Sequence, residues 1–207
     1  MNTLAKGFSY LFHPLLIPSG LFGLLAVYFP PALYPIKMET QQHFVLFVGV
    51  ITFLLPGVNL LFFRQFGVIR SFSMISREER VTPFLFITLL YLAGTFMFYY
   101  KTRIGLQDNV FKLLLVVDAL VLVSFFITLV YKASIHSLAV SGVLGILLPL
   151  TKAAEDGSLF IPFLIALLVA GAIMSARLQL NAHTPRQILV GAIAGFTTAF
   201  TAMLILF

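Results

Sequence analysis

Apolar runs of about 20 residues recur from one end of this chain to the other, and that repetition constrains the fold more than any other feature. A helix needs about 20 residues to cross ~30 Å of hydrocarbon. Hydropathy and turn residues mark seven candidate spans: 9–29, 43–63, 82–100, 113–131, 137–151, 159–176 and 188–207. They leave no stretch for a separate soluble domain. The expected architecture is therefore all-α, a single integral-membrane domain over 1–207 built as a polytopic transmembrane helix bundle of six to seven spans. Composition agrees, since 60% hydrophobic residues, 10% charged residues and a mean hydropathy of +1.06 lie outside the soluble range.

Two runs need comment. The run 9–29 contains His13, Pro14 and Pro18 and lacks a small-residue cleavage site, so it reads as a span and not as a leader. The run 137–151 is short, and starting it at Ser134 brings it near the required length; the alternative is a tilted or re-entrant segment.

If all seven runs cross, segments 64–81, 132–136 and 177–187 share a membrane face with the N-terminus. That face carries Lys6, Arg64, Arg70, Arg77, Arg80, Lys132, Arg177 and Arg186, eight of the 13 basic residues, together with His136 and His183. Eight against five favours the cytoplasm by the positive-inside rule. Setting aside five residues suited to an anion, Arg70, Arg77, Arg80, Lys132 and Arg177, leaves three against five and reverses the sign. The basic residues are scattered between spans without forming a stripe, so no nucleic acid is expected as a partner. There is no cysteine, which excludes thiol catalysis and disulfides.

Three polar clusters fall on this face. In "RSFSMISREERVTPF", 70–84, Arg77 and Arg80 stand three residues apart, and guanidinium groups suit phosphate because each offers planar paired donors. The plainer reading is a solvated loop whose arginines meet headgroups or Glu78 and Glu79. In "KASIHSLAVSG", 132–142, a helix starts near Ser134. Its unpaired N–H groups and positive dipole end, beside Lys132, make an anion site within reach of His136. Equally, Ser134 is a good N-cap and Lys132 an interfacial anchor. In "ARLQLNAHTPRQILVGAIAG", 176–195, Arg177 ends one span and His183 precedes Thr184-Pro185, an N-cap followed by proline at the first helical position. Gln187 there completes a capping box with Thr184. Ionisable groups at bilayer depth are costly and mark function, so the expected ligand is an oxyanion.

In order and spacing the clusters resemble the motifs of the type-2 phosphatidic acid phosphatase superfamily of integral-membrane lipid phosphatases: K-x6-R-P, P-S-G-H and S-R-x5-H-x3-D. Arg177 and His183 reproduce R-x5-H, and the following "ILVGAIAG", with Gly191 and Gly195, is similar to the family's next helix. Ser134 and His136 match the second motif, with Ala133 and Ile135 in place of Pro and Gly. For the first motif the chain offers Arg77, Arg80 and Pro83, or Arg70 with Arg77 at the seven-residue offset and Glu78 in place of the proline. The resemblance covers about residues 64–207, extends to a small divergent bacterial branch that the chain also looks like, and implies a bacterial inner membrane.

What the resemblance implies is a metal-independent phosphatase without cofactor. His183 attacks phosphorus to give a phosphohistidine, and His136 protonates the leaving oxygen. Arg177, Arg80 or Arg77, Lys132 and the helix start at Ser134 hold the phosphate oxygens. The partner is a membrane lipid with a phosphate headgroup, a phosphate or pyrophosphate monoester such as phosphatidic acid, phosphatidylglycerol phosphate or a polyprenyl pyrophosphate. The departure is Gln187, which stands where the family has its orienting aspartate. Glu78 or Glu79 are the candidate substitutes for that acid. The second reading is a catalytically weakened or inactive homologue that binds or handles anionic phospholipids. A transporter ranks last, because only Asp118 lies deep, about 21 Å along a helix before Lys132. Asp118 is expected to pair across spans, with Asn59 or a backbone carbonyl.

Overall fold

The computed structural model describes residues 2–207 apart from 73 and 75. In chain order the elements are α1 (Asn2–Leu11), α2 (Ile17–Tyr28), a 3-10 turn (Pro30–Leu33), α3 (Met38–Gly49), a π-helical turn (Val50–Leu54), α4 (Leu55–Gln65), α5 (Glu78–Thr102), α6 (Asn109–Val130), α7 (Ile135–Ala153), α8 (Phe160–Gln179) and α9 (Pro185–Leu206). Among the described residues there is no strand. Among the described residues six helices are long and apolar enough to cross a bilayer: the continuous Met38–Gln65 and α5 to α9. The chain is a polytopic helical bundle.

The first expected span is the exception. Residues 9–29 do not form one helix, because Pro14 sits in a break after α1 and Pro18 lies in the first turn of α2. Proline lacks the N–H that would continue the upstream helix and is tolerated at a helix start. The 12 residues of α2 reach only about 18 Å. The chain still runs between the ends of the bundle. At the far end Val110 N–H donates to the Tyr34 carbonyl at 3.2 Å, and the Asn109 amide to Pro31 at 3.3 Å. At the near end His136 meets the Ser9 carbonyl, so the N-terminus shares that end with the loops before α5, α7 and α9.

The π turn also traces to a proline. Pro56 cannot donate to the carbonyl four residues back, that of Thr52, and this freed carbonyl accepts the Tyr91 hydroxyl of α5 at 3.2 Å. Burying the carbonyl unpartnered would cost about 1–3 kcal/mol.

The middle of the bundle is α7, which begins just after Ser134 and has 56% of its apolar window buried, against 22–39% for the other spans. Glycines let α9 reach it. A Cβ on Gly191 would strike the Ser134 carbonyl, and one on Gly195 the Leu138 carbonyl. Backbone contact of this kind is how helices associate where lipid removes the hydrophobic drive. Ser134 N–H then donates to the Gln187 carbonyl at 3.1 Å, locking the start of α7 to the start of α9. Outward faces carry exposed Leu168, Val130 and Ile205, as lipid contact requires.

Candidate functional site

A cavity of about 620 Å³ opens at the near end, between the N-terminal segment, the starts of α5 and α7 and the connection from α8 to α9. Its mouth is lined by Lys6, Arg80, Lys132, Arg177 and the histidines His13, His136 and His183. Among the described residues no carboxylate lines it. Its interior is apolar, running past Leu21, Ile87, Leu120, Val143 and Ile146.

Local geometry explains how Arg177 and His183 come together. Helix α8 ends at Gln179, and Asn181 takes a left-handed conformation with φ of +49°, which asparagine tolerates better than most residues. The Ala182 N–H closes on the Arg177 carbonyl at 3.2 Å, so the chain doubles back and His183 enters the cavity that Arg177 lines. The Arg177 Nε is buried with no hydrogen-bond partner among the described residues. Most buried polar groups in proteins are paired, so this donor is available to an anion in the cavity.

His183 is oriented by Gln187. Its Nδ1 lies 3.0 Å from Gln187 Oε1, and the same oxygen accepts the Thr184 N–H at 3.2 Å, while the Thr184 hydroxyl accepts the Gln187 N–H at 3.3 Å. The capping box and the histidine contact are thus one arrangement. The Thr184 N–H can only donate, so the amide presents oxygen to His183. Nδ1 therefore carries the proton, and Nε2 keeps its lone pair. Burial pushes the His183 pKa down to about 4, and Arg177, Arg80 and Lys132 push the same way against the Gln187 bond. Burial, then Arg80, lowers that of Lys132.

His136, in the first turn of α7, has Nε2 at 3.2 Å from the Ser9 carbonyl. A carbonyl can only accept, so Nε2 holds the proton and Nδ1 is the free nitrogen. Arg80, in the first turn of α5, is buried at 9% exposure with Nε donating to the Met74 carbonyl at 2.8 Å.

Other expectations need correction. Arg77 does not line the cavity; it donates to the Leu129 carbonyl at 2.6 Å, capping the C-terminal end of α6, and lies 3.5 Å from Glu78. Unpaired carbonyls at a helix end attract a cation, which draws Arg77 away from Arg80. Ser134 is fully buried and also outside the lining, its hydroxyl taken up by the Ser137 N–H and hydroxyl. Glu78 and Glu79 pair with Arg77 and Arg70 and do not line the cavity that His183 enters. Asp118 is buried beside Thr95 of α5, not Asn59.

Sequence reasoning missed the contribution of the N-terminal segment. Lys6, Ser9 and Tyr10 of α1 and His13 after it line the cavity, and the His13 and His136 rings meet edge to face at 5.9 Å. Residues 6, 9, 10 and 13 follow the i, i+3, i+4, i+7 spacing of one helical face, a polar stripe in an apolar run.

Comparison with protein-family models, curated proteins and solved structures gives no match.

Proposed function

We propose that this chain is a membrane lipid phosphatase that hydrolyses a phosphate or pyrophosphate monoester through a phosphohistidine on His183. One observation carries the reading: His183 presents a bare, neutral Nε2 in a cavity lined by four cationic side chains and, among the described residues, no carboxylate. Such a mouth attracts a dianion, and Arg177 supplies a buried donor without a partner among the described residues. The apolar interior accepts a hydrocarbon tail while the headgroup stays among the cations.

The chemistry follows from the residues present. Arg177, Arg80 and Lys132 hold the phosphoryl oxygens and stabilise charge as the P–O bond breaks. His183 Nε2 attacks phosphorus. His136 protonates the leaving oxygen through Nδ1, the nitrogen that its Ser9 bond leaves free, after a bound dianion has favoured its imidazolium. The test is phosphate release by purified protein from a panel of lipid phosphates and diphosphates beside His183→Ala. Turnover abolished in the variant supports the reading.

The second reading is a binder of anionic phospholipids with weakened chemistry, and Gln187 favours it. A neutral amide orients His183 but does not stabilise the imidazolium charge that develops during attack. Tight binding of lipid phosphates without release by the unmodified chain would establish that reading instead.

A further inference from the structure

We infer that the N-terminal segment builds a second phosphate subsite on the leaving-group side of His136, so that the preferred substrate is a lipid diphosphate. The inference rests on the proposed phosphatase reading for its chemistry but on separate residues for its geometry.

Three polar side chains of that segment line the cavity. The Ser9 hydroxyl is buried with no partner among the described residues, although a helical serine ordinarily returns its hydroxyl to its own backbone. The residue is adjacent to His136, which its carbonyl already holds. His13 supplies the second donor. Its Nδ1 accepts the Leu15 N–H at 3.3 Å, and because that group can only donate, the proton of the neutral ring sits on Nε2. His13 is thus the one of the three cavity histidines that offers an N–H in place of a lone pair. Lys6 adds a full charge one helical turn before Ser9.

Location separates most of these donors from the first set. Arg80 and Lys132 bear electrostatically on His183, the attacking group, while Arg177 bears on all three histidines. Ser9 and His13 pack on His136, the group that serves the departing oxygen. A leaving group that is an alcohol needs one proton and little else. A leaving group that is itself a phosphate needs several donors and a cation, which Ser9, His13 and Lys6 provide.

The step balances without a further reactant. His183 Nε2 bonds to the terminal phosphorus as the bond to the bridging oxygen breaks. That oxygen leaves on the inner phosphate, giving a lipid monophosphate whose charge Lys6 and His13 hold. Water then breaks the P–N bond, its oxygen ending on inorganic phosphate and its protons shared between that phosphate and solvent.

Farnesyl diphosphate and farnesyl monophosphate differ only in the second phosphate, so the full chain is assayed on both. The expected kcat/KM for the diphosphate exceeds that for the monophosphate by about tenfold or more, the worth of one or two hydrogen bonds. Ser9→Ala and His13→Gln each lower that ratio several-fold. In parallel, binding of inorganic pyrophosphate and phosphate is measured by calorimetry with the unmodified chain and both variants. Pyrophosphate binding tighter by about tenfold, with the preference reduced in both variants, supports the subsite even if no lipid is turned over, a result that would sink only the phosphatase reading. Equal kcat/KM on the two lipids, equal binding of the two anions, or a preference unmoved by both substitutions would overturn the subsite.

Discussion

Gln187 holds His183 through the same oxygen that caps α9, with Oε1 at 3.0 Å from Nδ1 and 3.2 Å from the Thr184 N–H. In a Ser-His-Asp triad an amide at the orienting position costs about 10⁴ in rate because it imposes the wrong tautomer. Here the cap prevents that, since turning the amide would set its NH₂ against a backbone N–H. What Gln187 lacks is charge alone.

Gln187→Glu therefore raises turnover, by roughly tenfold or more, because glutamate keeps the length and the capping box and adds the missing charge. Steady-state kinetics and a thermal melt of the variant check this together. Unchanged or lower kcat with unchanged melting would count against His183 as nucleophile.

The pH profile should be broad on the acid side. With the His183 pKa near 4, the neutral nucleophile persists well below pH 6.5, so kcat/KM holds to about pH 5 before the histidine itself limits it. Gln187→Glu moves that limb upward, because a carboxylate favours the imidazolium. A pH–rate series on both proteins reads the shift.

Stability should change with pH in the same region. His183 and His13 both have folded pKa values lowered chiefly by burial, so their contribution is fully present above 6.5 and is lost as pH falls through the folded values, which for His183 is about 4. Melting temperature therefore drops across that window in the unmodified chain. His183→Gln, which does not titrate, shows a smaller drop.

The two arginines at the start of α5 should behave differently. Arg80→Ala removes a charged donor from the cavity and raises KM by roughly ten- to a hundredfold, the range for a hydrogen bond to a charged group. Arg77→Ala acts on the end of α6, lowering stability by about 0.3–1 kcal/mol. A KM change in the second matching that in the first would reverse these roles.

Gly195→Ala places a methyl group against the Leu138 carbonyl, where relief requires α7 and α9 to part. Overpacking of this kind costs about 1–3 kcal/mol. A melt in detergent measures the loss, and because Ser134 is tied to Gln187, activity falls further than unfolding alone explains.

Much of this was legible because it is local. Runs of membrane-spanning length announce the bundle, and Arg177, His183 and Gln187 lie close in sequence across the short connection from α8 to α9, where spacing dictates proximity. The start of α7 near Ser134 followed from capping chemistry. What spacing does not encode is where a side chain goes when two partners compete: position in the sequence groups Arg77 with Arg80, yet an α6 carbonyl claims it. His13 lies 123 residues before His136, and only the folded bundle joins them. The histidine-proline break did carry a signal: an apolar run interrupted by a polar face at 6, 9, 10 and 13 is poorly suited to a simple span.

The phosphoenzyme itself is the most direct evidence to seek. Purified protein mixed with lipid diphosphate labelled at the terminal phosphorus, quenched in alkali where a P–N bond survives, and digested for mass spectrometry should carry phosphate on His183. Label on His136 or His13 instead, or sustained turnover with no labelled histidine, would contradict His183 as the attacking group.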